Sequence, residues 1–385
     1  MAHVEYETQG WFSRIGDSIK GIFGGIAIFL LAVPLIFWNE CRAVDRAEDL
    51  AFGKGSVVQA DAAKVDAGNE GKLVHVVGDV KVEGKPTDKA FKITVDGLAL
   101  ERTVEMYQWK EKVKKEKEKK TGGKEVTKKT YTYEKVWSAT ELKSGEYKEK
   151  DKINPGPLPY KSETAYASGA TLGAYKLTDS TMSGLGTSKP HEVDKKVLAA
   201  LSAGDQKIAQ INNGEIYIGK SPSKPAVGDV RIKFQVRVPG KATVVAGQYG
   251  SELKAFTHKK LNDPLVLTSN GSKTPDELFE SAESANNMMT WILRLVSYIM
   301  MFAGLAAVFR PLSVIADVIP FIGSIVGTAT SLVAFLLATP MWLFCVAAAW
   351  IVARPLIGIL LMVGALMLIG GLIAAAMAFK KKAAA

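Results

Sequence analysis

The chain has 385 residues, 48% hydrophobic and 23% charged, with a formal net charge of +10. That length has room for two or three domains, and the hydrophobic fraction is ordinary for a globular protein, so composition alone excludes neither a soluble nor a membrane fold. The positive surplus is too diluted by Asp and Glu to argue for nucleic acid, and it favours anionic lipid headgroups or acidic partners.

The order along the chain is more telling than the average. Ile22 to Trp38 carries no charge, residues 39–290 are dense in Lys and Glu, and residues 291–379 are again almost uncharged. Residues 1–38 sum to −1, the middle to +6 and residues 291–385 to +5. Both cysteines, Cys41 and Cys345, fall outside the polar middle. That middle therefore folds without a disulfide of its own, on a core that its length readily supplies.

In residues 1–20, Trp11, Phe12, Ile15 and Ile19 recur at helical spacing, which predicts an amphipathic segment lying along a membrane surface. Residues 21–38 are uncharged after it and long enough to cross a hydrocarbon core of ~30 Å once. A cleaved signal peptide is the competing reading, but Asn39-Glu40-Cys41-Arg42 has no small-x-small cleavage pattern.

Residues 39–273 read as a β-rich, mixed soluble domain. Leu73 to Val77 is rich in β-branched residues; Phe91, Ile93 and Val95 alternate with polar neighbours, as do Ile216 and Ile218, and Ile232, Phe234, Val236 and Val238. Asn213-Gly214 predicts a tight hairpin turn, and Glu192 to Ile208 predicts a helix interrupted at Gly204. Within the domain, residues 107–137 form two aromatic-bearing arms around a Lys/Glu run that turns at Gly122-Gly123, the pattern of a long hairpin. Trp109, Lys112, Lys114, Lys115, Lys119, Lys120, Lys128 and Lys129, with Trp11 and Phe12, are its candidate contacts to anionic lipid or a partner chain. The plainer alternative is a solvated hairpin whose Lys and Glu pair across strands and blunt a sheet edge.

Thr274-Pro275-Asp276-Glu277 is a capping box with Pro at the first helical position, so residues 274–310 are predicted as a helix entering a second span and ending at Arg310-Pro311. Residues 319–353 are predicted as a third span kinked near Pro340, with a tight hairpin as the alternative, and residues 356–379 as a fourth. A basic tail, 380–385, follows. Four spans place both termini on one face. Lys380 to Lys382, Arg310, Arg14 and Lys20 against Arg42, Arg46, Lys273 and Arg354 make that face cytoplasmic and the soluble domain periplasmic, extracellular or lumenal. Small residues at four-residue spacing, Gly21 with Gly25 and Gly323 with Gly327, are candidate helix-packing positions, within the chain or between copies. Ser324, Thr328, Thr330 and Ser331 give the third span a hydroxyl-bearing side that would suit a pore.

Catalytic and metal-binding patterns are missing. His3, His75, His191 and His258 have no carboxylate or thiol at ligand spacing, and Gly184 to Ser188 lacks the lysine of a phosphate loop. No cofactor is predicted.

Several strings resemble the transmembrane protein 43 family, also called LUMA. They are Asn69-Glu70-Gly71-Lys72-Leu73-Val74-His75, Val104-Glu105-Met106-Tyr107-Gln108-Trp109, Val227-Gly228-Asp229-Val230-Arg231 and Arg354-Pro355-Leu356, together with Asn39-Glu40, where Cys41 stands in place of the family's usual Gly. The resemblance implies a non-enzymatic, self-associating membrane protein. Its domain would be lumenal in eukaryotes, in the endoplasmic reticulum and inner nuclear membrane. The Lys-rich hairpin and short tails point to a prokaryotic relative in an inner membrane. The expected fold is an α+β membrane protein with one N-terminal and three C-terminal spans flanking a β-rich domain. The expected function is a scaffold that forms homo-oligomers and organises lipids or other membrane proteins; a channel or lipid conduit of oligomerised spans is the alternative.

Overall fold

A computed structural model describes residues 3–353 and 355–383. Arg354 and the last two residues of the predicted basic tail lie outside them. The chain folds as two compact units, one formed mainly by Asp49–Lys114 and Thr130–Ala282 and the other by Val4–Glu48, Lys115–Lys129 and Glu283–Ala385.

The first unit is β-rich, with two large sheets and a two-stranded ribbon of Thr87–Asp88 and Ile93–Thr94. In one, the strands Lys241–Tyr249, Glu252–Lys254, Tyr175–Leu177, Gly169–Leu172 and Leu73–Glu83 each pair with the next, and the last pairs back with the first, which closes a small barrel. Successive strand side chains face opposite ways, so every second residue points inward. Val74, Val76 and Val80, Ala242, Val244 and Ala246, and Leu172, Tyr175, Leu177 and Leu253 accordingly fill the interior as one buried cluster. In the other sheet, Ala99–Lys119 lies between Glu125–Ser138 and Val230–Val238, and Glu215–Ile218 and Ala209–Asn212 continue beyond. The register sets Met106 opposite Val230, Val104 opposite Ile232 and Leu100 opposite Val236, all packed in a second apolar cluster. Asn213-Gly214 joins two of these strands with φ of 50° and 75°, the paired positive values of a tight hairpin turn.

Arg102 occupies the inward face between Leu100 and Val104 and is buried. Asp88 at 2.5 Å and Glu163 at 2.9 Å hold its guanidinium, and its carbon lies 5.1 Å from the Phe91 ring centroid. A buried charge is tolerated there because its hydrogen-bonding capacity is met on several sides. Glu192 to Ile208 is not one helix. Asp194 caps a 3₁₀ segment, Lys195–Ala200, and Ser202 caps a separate turn, Ala203–Gln206. Two caps eight residues apart start the chain afresh, so the break falls at Leu201-Ser202 and not at Gly204 as the sequence predicts.

Four long helices are α1 (Trp11–Ser56), α2 (Pro275–Ala316), α3 (Pro320–Ala353) and α4 (Pro355–Ala383). α1, α2 and α3 are long and apolar enough to cross a membrane; α4 has a shorter apolar stretch, Gly358–Gly371. In the first unit, Leu50 at the end of α1 and Leu278 and Phe279 at the start of α2 pack with Leu73, Val245 and Leu265. Thr274 and Glu277 make the reciprocal capping bonds at the start of α2, at 3.2 and 2.7 Å. In the second unit, Ala32, Ile36, Met301 and Val346 form the buried centre of α1, α2 and α3.

The helices run further than the sequence predicts. α1 starts at Trp11 and passes without a break into the apolar run, while the residues before it, His3–Gln9, form a strand. The alternation Val4, Tyr6, Thr8 suits an extended chain, and Gly10 separates it from the helix. α2 continues through Arg310-Pro311 to Ala316, and α3 through Pro340. Proline removes one backbone donor but does not by itself end a packed membrane helix.

Candidate functional site

The structure places the predicted contact residues in two settings. At the base of the hairpin, aromatics pack on the sheet: Tyr107 lies 5.1 Å from Trp137, Arg231 sits 4.5 Å over Trp137, and Lys135 and Lys152 flank Trp109 at 4.8 and 5.0 Å. Asn154 clamps the strand here, accepting from the Trp109 N–H at 2.7 Å and donating to the Trp109 and Leu142 carbonyls. Buried Gln108 ties in the following loop through Thr140 and Leu142. Glu105 is bonded by Arg231 at 2.7 Å and Lys233 at 3.1 Å; burial opposes its ionisation, yet these two bonds hold its carboxyl below the ordinary value. Further along, burial and the bond to Glu111 push the Tyr133 hydroxyl up to about 12.

Along the arms, lysines meet carboxylates. Residues 107–137 hold eleven Lys against five Glu, a surplus of +6. Lys112 bonds Glu134 at 2.6 Å, Lys128 approaches Glu116 at 3.7 Å, Lys129 bonds Glu7 at 2.5 Å and Lys120 pairs with Glu118. Lys129, aided by Lys115, keeps Glu7 below the usual carboxylate range. Lys114 is also engaged. Most of the predicted contacts are thus met inside the chain.

The hairpin tip carries the second setting. Gly122 and Gly123 turn with φ of 82° and 75°, and the side chain of Trp11 packs against Gly123 where any Cβ would collide. The Trp11 indole N–H donates to the Val314 carbonyl at 2.9 Å, and the Gly122 N–H donates to the Val318 carbonyl at 2.9 Å. Arg14 donates to Gly123 O at 2.6 Å and to Asp317 at 2.5 Å and approaches Glu125 at 3.4 Å; Lys119 also bonds Asp317, and Lys117 bonds Glu125. Arg14, Glu125 and Asp317 are all buried. The sequence reading places this hairpin in a domain on the other side of the membrane from Trp11; in the helical unit its tip meets the N-terminal segment. The tip and the N-terminal segment share one face of the helical unit, because Arg14 and Lys119 converge on the single carboxylate between α2 and α3. Phe12, beside Trp11 at 5.0 Å, stays exposed.

A second buried network lies at the other end of the α1 apolar run. Glu40, 1% exposed, accepts two parallel bonds from Arg294, both 2.7 Å, and one from the Trp350 indole at 2.6 Å. Next to it, Arg42 donates to Asn286 at 3.0 Å and Thr290 at 3.1 Å, and Asn39 donates to the Thr290 carbonyl. Glu40 thereby joins α1, α2 and α3.

Of the predicted packing glycines, Gly25 does meet a partner. A Cβ there would lie 2.7 Å from the Gly304 carbonyl oxygen and 2.8 Å from Ala307, so α1 and α2 approach backbone to backbone. Gly323 sits tight against Asp317, Gly327 is in ordinary contact with Ser313, and Gly21 has nothing within 4 Å. Ser324, Thr328 and Thr330 hydroxyls bond back to carbonyls of their own helix.

Sequence spacing missed Asp317 and the Glu40–Arg294 pair. The available signal was a lone carboxylate in Val314-Ile315-Ala316-Asp317-Val318-Ile319, and a Glu just after one apolar run facing an Arg just inside another. Among the described residues no group of three or more His, Cys, Asp or Glu could hold a metal. His75 is buried, with Nε2 2.9 Å from the Lys273 carbonyl.

A family model described as Transmembrane protein 43 matches residues 106–355. The orangutan (Pongo abelii) protein named Transmembrane protein 43 is 32% identical over 377 residues, covering 93% of this chain and 92% of its own. The human protein of that name is 31% identical with the same coverage, and the Drosophila melanogaster homolog is 26% identical over 354 residues, 89% and 91% of the two chains. No solved structure matches the chain.

Proposed function

The chain belongs to the transmembrane protein 43 family, and on that premise we propose that it is a non-enzymatic integral membrane scaffold that self-associates and organises lipids and other membrane proteins around it. The observation that carries this reading is how the helical unit uses its polar groups. Glu40, Arg294, Arg14 and Asp317 are spent joining helices to one another at the ends of the apolar runs. The outward surface of the apolar helices is left to Phe23, Leu30, Leu31, Ile299, Leu332 and Leu360, all exposed. Gly21 and Gly24 on α1 also face outward with nothing within 4 Å, leaving a strip where a second copy's backbone can come close. Transport chemistry generally places an ionisable group mid-span, and the charges here sit at the ends instead.

The face carrying Arg14, Lys20, Arg310 and the hairpin tip is cytoplasmic on this reading, because Lys115, Lys117, Lys119, Lys120, Lys124, Lys128 and Lys129 add to its positive charge. Mass measurement of the full chain in lipid nanodiscs tests the scaffold. Discrete oligomers are expected, and Gly21→Leu with Gly24→Leu should shift them toward monomer. Monomers alone at every protein concentration would rule out self-association. Silent planar bilayers and no lipid transfer by the purified protein would likewise separate it from a channel or conduit.

A further inference from the structure

In the helical unit, α1, α2 and α3 border an open recess of about 200 Å³, whose lining includes Ala43, Ala47, Asn287, Trp291, Arg294 and Trp350. Arg294 stands at its wall. The Nε and Nη2 atoms are taken up by Glu40, and among the described residues Nη1 makes no hydrogen bond. The guanidinium carbon lies 4.9 Å from the Trp291 ring centroid and 5.9 Å from that of Trp350, so two aromatic faces hold the cation in place. Glu40 is fully covered behind it, which leaves the cation, not the carboxylate, at the opening. Arg294 is the charged side chain of the lining, and the Asn287 side chain is an exposed amide on it.

Depth supplies the second line of argument. Trp38 and Trp291 are exposed at the ends of their apolar runs, and tryptophans in such positions collect at the level of lipid headgroups. Phosphate is the anion concentrated at that level, and a guanidinium with a free edge is the side chain best matched to it. We propose that this recess is a phosphate-binding site of the membrane surface, in which Arg294 Nη1 and the Asn287 amide hold the phosphate while Trp291 and Trp350 fix the guanidinium. The proposal rests on the apolar helices lying in a membrane and not on the scaffold reading.

Native mass spectrometry of the purified full chain tests it with two probes, phosphatidylglycerol and diacylglycerol, which differ by the headgroup phosphate. Trp291→Ala and Ala47→Leu remove one aromatic wall and fill the recess without touching the Glu40–Arg294 bonds, and unchanged melting temperatures confirm that both variants fold. Retained phosphatidylglycerol is expected to fall by about five- to tenfold in each, with diacylglycerol retention unaltered. Equal phosphatidylglycerol retention by the native chain and both variants, or equal retention of the two probes by the native chain, would overturn the site. Inorganic phosphate added alone identifies the source: if it raises the native chain's melting temperature and not that of Ala47→Leu, the site accepts free phosphate, and if only phosphatidylglycerol does so, the site requires the lipid.

Discussion

Glu40 is a buried carboxylate whose partners come from two other helices, so its removal leaves Arg294 and the Trp350 N–H without an acceptor. Breaking such a pair typically costs about 3–5 kcal/mol. Glu40→Gln should therefore lower the thermal stability of the detergent-solubilised chain severely, whereas Trp350→Phe, which loses one hydrogen bond and exchanges the indole for a smaller phenyl ring, should cost about 1–2 kcal/mol. Equal effects would show that ring packing and not the carboxylate holds the helices. Glu105 makes a pH-dependent contribution. Its folded carboxyl lies below the ordinary value of 4.5, so the stability it adds is present above that value and is lost as pH falls through the lowered one. Melting temperatures of the native chain and Glu105→Gln should differ at neutral pH and converge as the solution is acidified through the lowered carboxyl value. The sequence made part of this visible: Asn39-Glu40 and Val104 to Trp109 are strings that resemble the family. It did not show that Glu40 pairs across 254 positions with Arg294, because no local pattern marks a contact that distant.

At the scale of elements, period-two alternation located Leu73–Glu83, Glu215–Ile218 and Val230–Val238, whereas Phe91 to Val95 is a strand only at Ile93–Thr94 and Lys241–Tyr249 went unmarked; the Asn213-Gly214 turn follows from residue type alone. Barrel closure was not legible. Two of its five strands, Tyr175–Leu177 and Glu252–Lys254, have three residues each and pair in parallel, too short for an alternation to register. The ends of α1 and α2 were also misjudged, since proline and polar residues argue locally for a stop while packing carries the helix through. The closeness of α1 and α2 makes a clear prediction. Gly25→Ala pushes a methyl into the Gly304 carbonyl and should destabilise the chain by about 1–3 kcal/mol, whereas Gly21→Ala, in open space, should leave monomer stability unchanged. Thermal unfolding of the two variants in detergent checks the pair; a silent Gly25→Ala would mean that the helices do not approach at this point. Along the hairpin arms Lys112, Lys117, Lys120 and Lys128 meet Glu across or along the strands, the pairing that the plainer alternative describes. Deleting Val113 to Lys129 should thus change binding to anionic vesicles only modestly and should expose Asp317, Arg14 and Trp11, with loss of stability as the larger effect.

For the whole molecule, the membrane character was legible from charge distribution, since uncharged runs flanking a polar middle need no tertiary information. Orientation was less so, because the positive-inside balance rests on few residues and the sequence could not reveal that the hairpin tip returns to the N-terminal segment. The contact of Gly122 and Gly123 with Trp11 and Val318 adds the tip's lysines to the positive charge of that face. Single cysteines at positions 120, 144 and 385, introduced into a chain with Cys41 and Cys345 replaced by serine and labelled from intact cells with a membrane-impermeant maleimide, decide the matter. Positions 120 and 385 should react together and only after permeabilisation, with 144 reacting from outside. Labelling of 120 from outside while 385 stays protected would contradict the shared face of tip and C-terminus that four spans require.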